Sequence, residues 1–448
     1  MKKFDFATYK KEAIAMIQLG YPIVISQLGI IAMGVTDTIQ VGQIEGKSAV
    51  SVSAAGLSNS MIFTVAIIVI ITLGITAPMI SKAKAEENEG EIRLLFKAVM
   101  RVCWYLGSVT VGICLILGFF FDKLGQEPEV SAVALPYNIL MSISMMPLLI
   151  FVALRQLSDG LERTKIAMSI TISAVFLNIL LNWLFINGIG FLPRLELIGS
   201  GLATLVSRLY MAISLWIVIH REPLFKVYTV KAQDNLTDLV KKIIKIGIPS
   251  GLQGFFEVAV FSSAVVIIGW YGKYQQAAHM IAINMCSVTY MMVTGIASAG
   301  GIRVGHFWGL KDKRQMVTAG NTALGIGGGF MLIAALVFFV FPQFLIGLYT
   351  SDPQVVPVAT VLLLIGGIFQ LSDGLQATAL GILRGIADVN FPTLITLFAY
   401  WIVGLPIGYL LGNYYDLKAA GIWMGLTVGL TASAILLCWR FFRMVKKI

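Results

Sequence analysis

Three carboxylates, Asp37, Glu257 and Asp373, lie inside stretches that are otherwise uncharged and apolar. Deep in a bilayer an ionised side chain costs about 2.5–3.5 kcal/mol even on the most lenient insertion scale, so such residues face a protein interior or an aqueous cavity and are candidates for function. Glu257 follows Lys245 by 12 residues and Asp373 precedes Arg384 by 11. At about 1.5 Å per helical residue, each then sits about 16–18 Å from the basic end of its helix. Two carboxylates at one depth in a low-dielectric site can hold a cation or share a proton, and Gly251, Gly254 and Gly374 nearby let helices bend or approach closely. The alternative is a buried polar pair that only orders packing.

Asp37 lies farther from that end, within GVTDTIQVG. Asn178 and Asn182, in FLNILLN, are spaced i, i+4 and share a helix face, and Ser200 opens a later segment in IGSGLAT. A carboxylate, two amide carbonyls and a hydroxyl are an all-oxygen set suited to a hard monovalent cation or a proton-linked network. Spacing alone does not bring them together, and single intramembrane Asn or Ser residues equally serve as hydrogen-bond links between helices. Na⁺ therefore has two candidate places, one at Glu257 and Asp373 and one at Asp37 and Asn178. Arg208, 13 residues before Arg221, lies about 20 Å from that end of its helix and needs an internal partner that the sequence does not name. His279 is either a proton relay or a hydrogen-bonded structural residue. Asp159, among Arg155, Arg163 and Lys165, reads as a solvated loop charge.

The elements that position these residues are membrane spans. The 448 residues are 58% hydrophobic and 12% charged, with a mean hydropathy of +0.86, whereas water-soluble domains carry about 25% charged residues. Twelve apolar runs are long enough to cross about 30 Å of hydrocarbon: 13–42, 52–80, 98–121, 130–154, 166–188, 197–219, 246–270, 276–302, 315–343, 354–383, 390–412 and 419–439. The four cysteines, spread over three segments without metal spacing, read as small core residues. The formal charge of +10 is topological rather than a nucleic-acid footprint. Of the 33 basic residues, 25 fall on the side that holds the N-terminus and every second loop, which the positive-inside rule assigns to the cytoplasm together with both termini.

The longest polar connection, His220 to Lys245, separates two six-helix halves that match in parallel register. Gly20 and Pro22 align with Gly247 and Pro249 at an offset of 227, Pro128 and Val130 with Pro353 and Val355 at 225, Gly160 with Gly385 at 225, and Gly199 with Gly421 at 222. QLSDGL recurs at 156–161 and 370–375, but its offset of 214 is out of register. The expected architecture is an all-α integral membrane protein of twelve transmembrane helices in two pseudo-symmetric bundles: residues 1–220, a cytoplasmic linker over 221–245, and residues 246–448. Six helices per half give both halves one orientation, and a cleft between them is the natural substrate path. GxxxxGK[ST], HExxH, GxSxG and CxxC are all absent from the sequence, and GIGGGF at 325–330 reads as a close-packing stretch within an apolar helix. No enzymatic activity or cofactor is expected.

The residues resemble the multidrug and toxic compound extrusion (MATE) family, in its NorM-like branch, over essentially the whole chain: VTDTIQVG, ATLVSR, IPSGLQGFFE, AAHMIAIN, RVGHFWG and LRGIAD occur in the family's order and spacing. The resemblance implies the MATE fold and export of organic cations, drugs and other amphipathic compounds in exchange for Na⁺ or H⁺ by alternating access, by a monomer in the cytoplasmic membrane. It implies coupling roles for Asp37, Glu257 and Asp373. Tyr290 matches an aromatic near the C-half cation site, and Phe369 stands where some members have a tyrosine. Asn178, Asn182 and Ser200 match the oxygen-rich N-half site, with Asn182 replacing an aspartate of a sister branch. A lipid-linked oligosaccharide flippase of related two-lobe fold is the alternative. Its cavity should be cationic to hold pyrophosphate, whereas the deep charges here are three acids and one arginine. An intramembrane enzyme is a third reading, but His220, His279 and His306 are scattered at helix ends.

Overall fold

A computed structural model describes residues 6–44, 46–124, 127–188, 193–229 and 236–447. Lys2, Lys3 and positions 230–235 of the expected linker lie outside the described residues. Among the described residues the secondary structure is helical, and twelve helical spans are long and apolar enough to cross a membrane. The chain is a multi-pass membrane protein. In order, the helices are α1 (Phe6–Val41), α2 (Ser48–Gly74), α3 (Thr76–Ala85), α4 (Glu89–Gly118), α5 (Pro128–Gly160), α6 (Thr164–Asn187), α7 (Glu196–Arg221) and α8 (Pro223–Thr229). They continue with α9 (Thr237–Gly269), α10 (Lys273–Gly309), α11 (Lys313–Val340), α12 (Pro342–Gly347), α13 (Val356–Gly385), α14 (Asn390–Leu397), α15 (Leu405–Asn413) and α16 (Lys418–Lys447).

Local chemistry sets the boundaries. The Asn88 side chain caps α4 by accepting from the Glu91 amide at 3.0 Å, and Asp312 caps α11 by accepting from Gln315 at 3.0 Å. Gly188 ends α6 at φ +69°, where a Cβ would collide with the backbone of Pro193 and Arg194. The second expected span breaks at Ile75 into α2 and α3, and the eleventh passes through a π-helical stretch, Phe398–Gly404, between α14 and α15. Large apolar side chains such as Val109 and Ile116 stay exposed on α4, as hydrocarbon contact allows.

The chain forms two compact units, Ile25–Gly251 and the residues up to Val24 together with Leu252 onward. The breaks at 24 and 251 are 227 residues apart, the register of the Pro22 and Pro249 match. This partition differs from 1–220 and 246–448 at its edges, because each repeat's first helix, α1 or α9, divides just past its proline. In the second unit the early part of α1 is fixed to α10 by a forked ion pair from Arg303 to Glu12, at 2.8 and 2.7 Å.

In the Ile25–Gly251 unit, α5 packs among α2, α4 and α7, burying Tyr137, Phe151 and Leu154. The region expected to be a linker is largely helical: α8 buries Phe225 and Tyr228 beside α4, and α9 begins at Thr237. Asp159 is not a solvated loop charge. Helix α5 continues through Gly160, which is pressed against Ala77 and Ile80, and so carries Asp159 inward to accept from Arg155 Nε at 2.9 Å, both residues buried.

In the other unit α13 packs against α10, α11 and α16. Gly381 and Gly385 place α13 directly on the α10 carbonyls of Ala297 and Gly301, and Gly327 of the GIGGGF stretch lies against Thr378.

Candidate functional site

Among the described residues, each unit buries a polar cluster around the intramembrane carboxylates. In the Ile25–Gly251 unit, Asp37 of α1 is 5% exposed and both of its carboxylate oxygens are engaged. Asn182 Nδ2 of α6 donates to Oδ1, and Thr204 Oγ1 of α7 donates to Oδ2 at 2.7 Å. Asn178 closes the ring, accepting from Asn182 at 3.3 Å and donating to Thr204 at 3.5 Å. Ser200 is fully buried, but its hydroxyl has no partner among the described residues, so it does not join the ring. Arg208 finds its internal partners in α5, donating to Ser144 Oγ at 2.6 Å and to Met145 Sδ at 3.4 Å, and its charge acts on Asp37. The Asn182 amide and the Thr204 hydroxyl turn N–H and O–H groups toward the carboxylate, a pattern that holds an anion, while Asn182 Oδ1 and Ser200 Oγ stay buried without a partner among the described residues.

In the other unit, Glu257 of α9 and Asp373 of α13 are 7% and 3% exposed and interact electrostatically. Their environments differ. Tyr290 from α10 and Tyr400 from the π-helical stretch interact with Glu257 through their phenol groups, and Gln253 Nε2 lies 3.5 Å from its Oε2. Gln376 donates to the Tyr400 oxygen at 2.8 Å, which leaves the Tyr400 O–H free to donate. Asp373 receives no hydrogen bond from the described residues. Phe369 brings no polar atom to the pair: it is 3% exposed and packs its ring edge-on to Phe261 at 6.0 Å and beside Trp423 at 5.9 Å. His279 accepts from Trp423 Nε1 at 2.9 Å through Nδ1, the bond its structural reading expects, while its Nε2 is buried without a partner among the described residues.

The family model described as MatE matches this sequence twice, over residues 22–184 and 249–410, with starts again 227 apart. The chain belongs to the MatE family. It is 30% identical to the "Probable multidrug resistance protein NorM" of Brucella suis biovar 1 over 444 residues, covering 97% of this chain and 93% of that protein. It is 32% identical to the protein of the same name from Rhodopseudomonas palustris over 451 residues, covering 98% and 94%. The fold matches the crystal structure of the eukaryotic MATE transporter AtDTX14 with a TM-score of 0.87 at 17% identity, covering 98% of each chain. These relatives are transporters, not enzymes.

Sequence reasoning on this MatE-family protein singled out the three carboxylates, Asn178, Asn182 and Tyr290, all of which the fold brings into the two clusters. It missed Thr204, Gln253, Gln376, Tyr400 and the inward turn of Arg384. Thr204 had a signal: Ser200, Thr204 and Arg208 repeat at i, i+4 along one face of α7. Gln253 is likewise one helical turn before Glu257, whereas nothing in the local sequence distinguishes Tyr400.

Proposed function

We propose that this protein is a cation-coupled antiporter that exports organic cations, drugs and other amphipathic toxic compounds by alternating access, as a monomer in the cytoplasmic membrane, drawing its energy from Na⁺ in preference to H⁺. The curated NorM relatives carry multidrug resistance in their names, which supports the substrate class. The observation that carries the mechanism is Asp373, a carboxylate buried beside a second carboxylate and given no donor by the described residues. Burying such an anion costs several kcal/mol unless a cation or a proton accompanies it. A site of that kind binds a charge in one state and releases it in another, and 100 mV supplies about 2.3 kcal/mol per charge moved. Asp37 has both carboxylate oxygens engaged by donors, which supports assigning the driving cation to Glu257 and Asp373. Four carboxylate oxygens with the Tyr290 and Tyr400 hydroxyls are more than a proton requires, which favours Na⁺.

Liposomes bearing an inward Na⁺ gradient with pH clamped equal on both sides test the ion. Efflux of a fluorescent organic cation should follow the Na⁺ gradient; efflux that ignores it and returns with a pH gradient would refute Na⁺. Topology is tested separately. Single cysteines replacing Lys123 and Lys311, in a chain lacking its native cysteines, should react with an impermeant reagent from outside and from inside respectively. The reverse pattern, or one side for both, would refute the proposed orientation.

A further inference from the structure

We propose that Arg384 is a built-in counter-cation for Glu257, tethered through Gln253, so that one carboxylate of the pair is balanced by the protein and only Asp373 is left to the exchangeable cation. The inference deepens the proposed function and rests on it. Arg384 stands at the last turn of α13, where composition alone assigns it to the cytoplasmic surface. The close seating of Gly381 and Gly385 on α10 fixes that turn against the bundle, and the guanidinium reaches α9 instead. Its Nη2 donates to Gln253 Oε1 at 2.9 Å, while the Nε2 of the same amide lies 3.5 Å from Glu257 Oε2. One amide thus accepts from the cation and faces the anion, relaying charge across a single helical turn of α9.

Other arginines of this unit behave differently. Arg303 forks onto Glu12 at 2.8 and 2.7 Å, and Arg440 onto Asp388 at 2.6 and 3.2 Å, each satisfied by its own carboxylate. Arg384 has no carboxylate within ion-pairing distance among the described residues, and its Nε is buried without a partner. A guanidinium so placed is a charge held near the site rather than a surface ion pair. The groups facing the pair are Gln253 and Glu257 on α9, Tyr290 on α10, Asp373 and Arg384 on α13, and Tyr400 on the π-helical stretch. Their fixed charges sum to one negative unit, which matches one monovalent cation. Arg384 is a positioning residue, since it acts on the driving cation through Gln253 and Glu257.

The test uses full-length protein in liposomes and reads the driving-cation concentration that gives half-maximal efflux, together with the maximal rate. Without the guanidinium the pair is more negative, so the cation should bind more tightly and leave more slowly. Arg384→Gln should lower the half-maximal concentration about tenfold and slow the maximal rate by a similar factor. Arg384→Lys, which keeps the charge, should stay near wild type. Gln253→Met, which cuts the relay but keeps the guanidinium, should shift both values in the same direction as Arg384→Gln but less, and it decides the matter if Arg384→Gln fails to reach the membrane. A lower maximal rate with an unchanged half-maximal concentration would show a merely structural role and overturn the inference, as would Arg384→Lys behaving like Arg384→Gln. Efflux by the wild type that follows no cation gradient would overturn the proposed function and this inference with it. A cation-driven wild type with an unaltered Arg384→Gln would overturn this inference alone.

Discussion

Asp373→Asn is expected to reduce gradient-driven efflux at least about a hundredfold while leaving the amount of protein in the membrane unchanged. The substitution keeps the shape of the side chain and removes its charge. Because Asp373 receives no hydrogen bond from the described residues, no packing partner is stranded by the change. What disappears is the attraction for a cation in a low-dielectric site, where a single charge contributes well over the about 2.7 kcal/mol that a hundredfold effect requires. Glu257→Gln should also abolish coupled efflux, since it removes the other carboxylate of the pair. The measurement is export of a fluorescent organic cation from cells or liposomes, normalised to protein in the membrane. Full export by either variant would reduce the pair to a packing feature.

The second large effect concerns folding. A Cβ on Gly425 of α16 would meet the backbone nitrogen and Cα of Gly408 and the carbonyl oxygen of Gly404, none of which can rotate away. Gly425→Val should therefore pry α16 from α15 and from the π-helical stretch that carries Tyr400, at a cost of about 3 kcal/mol or more. Gly329→Val on α11, where a Cβ would find nothing within 4 Å, should be tolerated. Membrane yield and the temperature at which the detergent-extracted protein loses its monodisperse size-exclusion peak compare the two. A Gly425→Val protein as abundant and as heat-stable as Gly329→Val would contradict the packing described.

Hydrophobic run length is a one-dimensional signal, and a buried acid interrupts it conspicuously, which is why the twelve spans and the three carboxylates were legible before the fold was known. The repeat register was legible for a related reason: glycines and prolines mark backbone geometry, and the 227-residue offset of Pro22 and Pro249 reappears where the two units divide. Thr204 was harder, since hydroxyls are common in membrane helices and its partner Asp37 is 167 residues away. Ser200 had the right residue type and shares the α7 face of Thr204, yet one turn earlier its buried hydroxyl meets no partner among the described residues. Asp159 and Arg384 were misjudged for one shared reason. Both stand at the basic end of a long helix, where composition resembles a wet surface, and only the close seating of Gly160 against α3 and of Gly385 against α10 shows that the backbone there is packed.

The most direct test of the account is to read both fluxes in the same vesicles. Liposomes containing the wild-type protein are loaded with an organic cation and diluted so that it runs outward down its own gradient, with no Na⁺ or pH gradient imposed, while entry of Na⁺ and of H⁺ is recorded. The account predicts that exit of the organic cation draws the driving cation inward although that cation has no gradient of its own, and that this counterflow is absent from Asp373→Asn. Exit of the organic cation from the wild type with no counterflow of either ion, or undiminished counterflow in Asp373→Asn, would contradict it.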